Sequence, residues 1–302
     1  MCEPVRQAAL LLLLAFGFHQ SLHAQDSARI KLARSIPWTQ GPVLGQLGKE
    51  AEVSVPESCR FTGTRGAALF MKLTENSASG HEQGVMLCQP ADTAARSWFV
   101  VFTYNPSGYV KDDDRESLDG DAIMKRLQQG TEQDNEYRKS QGWEAIYLDG
   151  WERAPFYDER THNLTWATRL HDESGSHSIN HSVRLLGRGG VMHADLVAYP
   201  EEFAAAVPEF DKILTGYTFK AGRTYAEWRQ GDKMAGYGLT ALVAGGASIA
   251  AAKTGLLAKL MKPIIAVVIA LKKLIVVVIA GAVAGIKSLF GRKKDEAQVS
   301  AK

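Results

Sequence analysis

The chain is poor in the features that mark a catalytic or nucleic-acid-binding protein. Only 3 of its 302 residues are cysteine, too few for a disulfide-dense scaffold or a four-cysteine zinc module. It has little net charge: 35 basic against 33 acidic residues leave +2. That excludes a dedicated nucleic-acid binder, whose basic excess is large and clustered. No serine sits in a Gly-x-Ser-x-Gly elbow, no glycine-rich phosphate loop precedes a helical pattern, and no segment repeats. Cys59 has no histidine nearby to activate it. With 45% apolar and 23% charged residues, the chain can still bury a core.

The near-neutral total hides a segregation of charge. Residues 25–234 hold 24 basic and 30 acidic residues, a net of −6; residues 235–302 hold 10 basic and 2 acidic, a net of +8. An acidic body on a basic, apolar tail points to a soluble domain beside a membrane. At the other end, Arg6 precedes an apolar run of 11 residues, Ala8–Phe18. That is the length of a signal-peptide core and too short to span a bilayer. Residues 1–24 are read as a signal peptide cut near Ala24, with an uncleaved anchor as the alternative. Export would put Cys59 and Cys88 in an oxidising compartment, where they are candidates to pair. Spacing alone does not bring their sulfurs together.

The stretch Met234–Ala252 has 19 residues without a charge, bounded by Lys233 and Lys253. At about 1.5 Å per residue it nearly spans a hydrocarbon core of about 30 Å, and a transmembrane helix is expected there. Ala244, Ser248 and Ala252 recur at every fourth residue, the spacing that permits close helix approach and self-association. Within residues 253–290, the apolar stretch Pro263–Ile286 is interrupted by Lys272 and Lys273. Two central lysines cost about 5–7 kcal/mol to insert, and the aliphatic residues around them return about 4–8 kcal/mol. Lys259, Lys262, Lys272, Lys273 and Lys287 fall within one helical arc of roughly 140°. The arc favours an interfacial helix with its lysines on anionic headgroups; a second span is the alternative. Residues 291–302 form a basic tail.

Between these ends, residues 51–233 read as an extracytoplasmic α+β domain, preceded by a loop-rich stretch 25–50. Strands are predicted over Ala51–Val55, Cys59–Phe61, Trp98–Tyr104, Glu144–Leu148, Leu164–Leu170 and Tyr217–Phe219. Trp98–Tyr104 is apolar on both faces, as in a central strand. One helix is predicted from an Asp119 cap to about Gln141, another over Glu201–Leu214. Ser176–Leu186 and Val191–Ala198 form a hairpin around Gly187-Arg188-Gly189-Gly190. Pairing Leu186 with Val191 sets Arg184 opposite His193 and Ser182 opposite Asp195 on a polar face. Val183, Leu185, Met192 and Ala194 then turn to the core. The expected fold is an antiparallel sheet covered by two helices.

Several motifs occur in a fixed order: Gly108-Tyr109-Val110-Lys111-Asp112-Asp113, Asn135 and Arg138 before Gly142-Trp143, and Gly150-Trp151. Tyr157-Asp158, His162-Asn163-Leu164-Thr165-Trp166, Asn180, Leu186 to Gly190, and Asp232-Lys233 through Tyr237-Gly238-Leu239 follow. This string resembles a bacterial family of membrane-anchored proteins built on domain of unknown function 2167, over roughly residues 36–260. The resemblance implies an inner-membrane protein with its main domain extracytoplasmic, and it implies no reaction. The order of elements is also similar to Mog1/PsbP-like sandwiches, a fold analogy only.

The candidate sites are few. The acidic run from Asp112 to Asp121 lacks the calcium-loop pattern, because its sixth residue is Ser117 and its twelfth Ile123. It reads as a solvated run ahead of a helix N-terminus. His177 and His181 share a strand face but stand about 13 Å apart, too far for one zinc ion. His181, on the face of Val183, reads as a half-buried, hydrogen-bonded residue. No metal or cofactor is expected. Tyr109, Lys111 and Arg188 are the candidates for contact with a ligand or partner. The expected function is a non-enzymatic envelope module, in contact with membrane lipids and a possible envelope partner, without nucleic acid. An extracytoplasmic enzyme of unrecognised chemistry is the alternative.

Overall fold

The computed structural model describes residues 27–90 and 95–244. All belong to the first of two compact units, Met1–Gly246. The expected signal peptide, the expected span beyond residue 244, and Lys259, Lys262, Lys272, Lys273 and Lys287 lie outside the described residues.

The domain is mostly antiparallel sheet with several helices. After helix α1 (27–35) come strands β1 (Thr39–Gln40), β2 (Val43–Leu47), β3 (Ala51–Val55) and β4 (Cys59–Gly63). Helix α2 (Thr64–Leu73), strands β5 (Glu82–Cys88) and β6 (Trp98–Asn105), and helix α3 (Gly120–Ser140) follow. Then come β7 (Ile146–Asp158), β8 (Asn163–Asp172), β9 (His177–Leu186), β10 (Val191–Ala198), α4 (Pro200–Thr215), β11 (Tyr217–Phe219) and α5 (Leu239–Val243). Eight strands form one sheet in the order β1-β4-β5-β6-β10-β9-β8-β7, and β11-β3-β2 form a second.

Period-two alternation decides what each face of the large sheet meets. On one side Val100 and Phe102 of β6, Val183 and Leu185 of β9, and Met192, Ala194 and Leu196 of β10 pack with Val53 of β3 and with Phe210 and Ile213 of α4. On the other side two smaller clusters form. Ala67 and Phe70 of α2 meet Val85, Phe99 and Val101, while Ile123 of α3 and Leu239, Leu242 and Val243 of α5 meet Leu164, Trp166, Leu186 and Val191.

Asp119 caps α3 by accepting from the Ala122 amide at 3.0 Å, the local signal that made this helix legible. The predicted hairpin register occurs, with Val191 opposite Leu186, His193 opposite Arg184 and Asp195 opposite Ser182. Cys59 and Cys88 are register partners on β4 and β5, and their sulfurs are bonded.

Several expectations are corrected. The stretch 25–50 is not merely loop, since it holds α1, β1 and β2. Helices α2 and α5 add to the two covering helices expected. The short strand expected at Glu144–Leu148 is instead the 13-residue edge strand β7, whose pairing shifts register three times. An edge position tolerates its Pro155 and Gly150, which mask it in a sequence pattern. The expected membrane span does not begin as a helix at Met234: that residue pairs with Tyr109 in an isolated bridge. Leu239, Leu242 and Val243 are buried in the domain at 0%, 3% and 3% exposure. Ala244, the first member of the small-residue stripe, packs against the same cluster. Among the described residues, no helix is long and apolar enough to cross a membrane.

Candidate functional site

The polar face of the β9–β10 hairpin opens into a cleft of about 440 Å³ between the large sheet, α3 and α5. Apolar walls come from Leu127 of α3, Leu242 and Val243 of α5, and Trp166 of β8. The floor carries Asn180, Ser182, Arg184, His193 and Asp195. Ser182 Oγ donates to Asp195 Oδ1 at 2.6 Å, and Arg184 Nη1 donates to the same oxygen at 2.7 Å. The Arg184 guanidinium also lies 4.6 Å from the Trp166 ring centroid, within cation–π range.

Electrostatics make this floor quiet near neutral pH. Burial opposes the charge on Asp195, yet the Arg184 charge and the Ser182 hydroxyl hold its carboxyl below the ordinary value. Burial, then the Arg184 charge, push His193 down to about 3 against the pull of Asp195, so its imidazole is neutral. Arg184 Nε and His193 Nε2 are buried without a hydrogen-bond partner among the described residues. Such orphans carry an unmet desolvation cost. Ser182 Oγ donates to the Asp195 carboxylate, and the neutral His193 is not its hydrogen-bond partner.

The three residues singled out in the sequence lie elsewhere. Arg188 spends its fork on Asp232, with Nε and Nη2 at 2.7 and 2.8 Å from the two carboxylate oxygens. It is a strut between the hairpin turn and the C-terminal segment, not a free ligand contact. The Arg188 bond, then the Arg229 amide, hold the Asp232 carboxyl at about 2. Tyr109 stacks on Tyr225 at 4.4 Å and 15°. Lys111 is exposed, 3.8 Å from Asp113.

Most of the ordered motif string converges around Tyr109 and the segment from Tyr225 to Leu239, in the cluster that also holds Trp166, Leu242 and Val243. The Tyr109 amide donates to Lys233 O, and Tyr109 O accepts from the Ala235 amide, both at 2.8 Å. Gly108 has φ +100, and a Cβ there would stand 2.5 Å from Lys233 O, so this close approach requires glycine. Tyr157 Oη donates to Asp112 Oδ2 at 3.0 Å and lies 3.0 Å from His162 Nδ1. Tyr225 Oη donates to Val110 O at 3.0 Å. Asp114 reaches across to α5, accepting from the Leu239 and Thr240 amides at 2.9 and 3.1 Å. The acidic run is therefore partly structural: one carboxylate caps a helix 125 residues away, and another holds Tyr157. A third cluster, Asp149, His171 and His177, is the one group of three metal-ligating side chains that converges among the described residues. Reading each strand separately missed it, because the two histidines meet across a hairpin rather than along one strand.

These features define a mostly antiparallel α+β domain with a polar cleft on one sheet face and a C-terminal segment clamped by its own motif residues. Residues 40–283 match the family described as protein of unknown function (DUF2167), and the chain belongs to that family. Among solved structures it is similar to the solution structure of cyanobacterial PsbP (CyanoP) from Synechocystis sp. PCC 6803, at 12% identity and a TM-score of 0.33. That match covers 60% of this chain and 91% of the other. No curated protein matches the chain.

Proposed function

We propose that the chain is a membrane-tethered envelope protein of bacteria whose exported domain is a non-enzymatic binding or scaffold module. The observation that carries the binding reading is the pairing within the cleft. Ser182 and Arg184 both donate to Asp195 Oδ1, and His193 is held neutral, so the floor presents fixed polar contacts rather than a group poised to exchange a proton near neutral pH. An apolar wall with a few convergent polar groups is the usual form of a small-ligand pocket. Export is supported by the apolar run Ala8–Phe18 and by the bonded pair of Cys59 and Cys88, buried at 1% and 0% exposure. The apolar, lysine-striped residues beyond 244 supply the tether, with Lys259, Lys262, Lys272, Lys273 and Lys287 toward lipid headgroups. An envelope protein is the fitting partner for the exposed face around Lys111.

The test is native mass spectrometry of the full chain isolated from its own membranes. A bound species is expected in the parent protein, recovered chemically unchanged after release. Filling the cleft with Thr131→Phe, on the α3 face that lines it, should abolish that species. Recovery of a chemically converted species would show turnover and contradict the reading. A bound species unaffected by Thr131→Phe, or none at all, would contradict the cleft as its site.

A further inference from the structure

We propose that Asp149, His171 and His177 bind a divalent transition metal of the zinc class. Strands β7, β8 and β9 lie side by side, and each contributes one ligand. The β8–β9 register sets His171 opposite His177. Asp149 sits where the β7–β8 pairing shifts between Leu148 and Gly150, and such bulges re-aim a side chain. Its carboxylate meets both rings: Oδ1 is 2.6 Å from His171 Nδ1, and Oδ2 is 3.7 Å from His177 Nδ1. All three ligand atoms lie within 4.8 Å of one another.

A tetrahedral ion with bonds of about 2.0–2.1 Å holds its ligand atoms about 3.3–3.4 Å apart. The observed separations straddle that value, so small side-chain rotations suffice. Two imidazoles and one carboxylate suit zinc, nickel or copper, whereas calcium and magnesium want oxygen throughout. Three protein ligands leave a fourth position for water or for a group of a bound molecule.

The surroundings fit a built site. The Asp149, His171 and His177 side chains are 34%, 35% and 60% exposed, so an ion can enter. The His171 ring stacks on Tyr147 at 5.0 Å and 23°, which orients it as outer partners of metal-bound histidines do. Asp172 is not a ligand. It accepts from Ser174 Oγ and from the Ser176 amide, shaping the turn that holds the two histidines opposite each other.

The full chain, purified in detergent and stripped with a chelator, is titrated with Zn²⁺ by calorimetry and with Co²⁺ by visible absorption. One Zn²⁺ per chain and a four-coordinate Co²⁺ spectrum are expected. His171→Ala and Asp149→Asn should each weaken binding by more than the roughly 10–100-fold that losing a partner behind a ligand costs. His81→Ala, which removes an exposed histidine outside the cluster, should change nothing. The ligands are surface side chains, so metal-free variants should melt where the metal-free parent does. His177→Gln replaces any variant that does not. Absence of binding, or binding unchanged in His171→Ala and Asp149→Asn, overturns the proposal.

Discussion

His181 is 1% exposed and sits 5.9 and 5.7 Å from the ring centroids of Phe203 and Phe210. Its Nδ1 has no hydrogen-bond partner among the described residues. The sequence places it correctly on the core face beside Val183, but reads it as half-buried and hydrogen-bonded. Strand parity reveals the face, not what a ring nitrogen meets there. Burial, then the charge of Arg153, push its pKa down to about 4, with Asp195 pulling back; His193 lies at about 3. The unfolded chain protonates both near 6.5. Between those values it binds protons the folded chain refuses, so stability is whole above about 6.5 and falls as pH drops. By pH 5 the loss is about 2 kcal/mol for each histidine. The melting temperature should therefore fall steadily from pH 7 to 5, and His181→Leu should flatten that fall. Equal slopes for parent and variant would contradict the account. Arg188 teaches a related lesson. Its tight glycine turn was legible, but its partner Asp232 is 44 residues away, and no local pattern announces it.

At the scale of elements, strong local signals were readable and borrowed stability was not. Helix α3 carries its own cap, and the β9–β10 hairpin carries a glycine turn between alternating strands, so both were legible along with the polar floor of the cleft. Helix α5 spans five residues, Leu239–Val243, too short to be stable by itself. It exists because Asp114 accepts from its first two amides and because Leu239, Leu242 and Val243 are buried. Apolar residues feeding a domain core and apolar residues feeding a membrane look alike in composition, which is why the span expected over Met234–Ala252 took in residues that belong to the domain core. Asp114→Ala should destabilise the chain by about 1–3 kcal/mol, since it leaves two amides without their charged acceptor. Asp113→Ala removes only an exposed 3.8 Å contact with Lys111 and should cost less than about 0.5 kcal/mol. Urea unfolding with unchanged slope measures both. Equal effects would contradict the clamp.

For the whole molecule, the sequence showed an acidic body, a basic apolar tail, a leader-like start and an ordered motif string; the motif string sufficed for the family, and the strand and helix patterns for the mostly antiparallel fold class. The motif string did not show its own purpose, because residues 40–130 apart in sequence meet only in the fold. The central proposal is export: the domain would fold outside the cytoplasm, with its cysteines joined as they are in the structure and its leader removed. The three cysteines report all of this in one experiment. Cells are quenched in acid, the chain is denatured without reductant, and its free thiols are mass-tagged. The account predicts no tag on the mature chain, because Cys2 leaves with the leader and Cys59 is bonded to Cys88. Two tags, on Cys59 and Cys88, would contradict it.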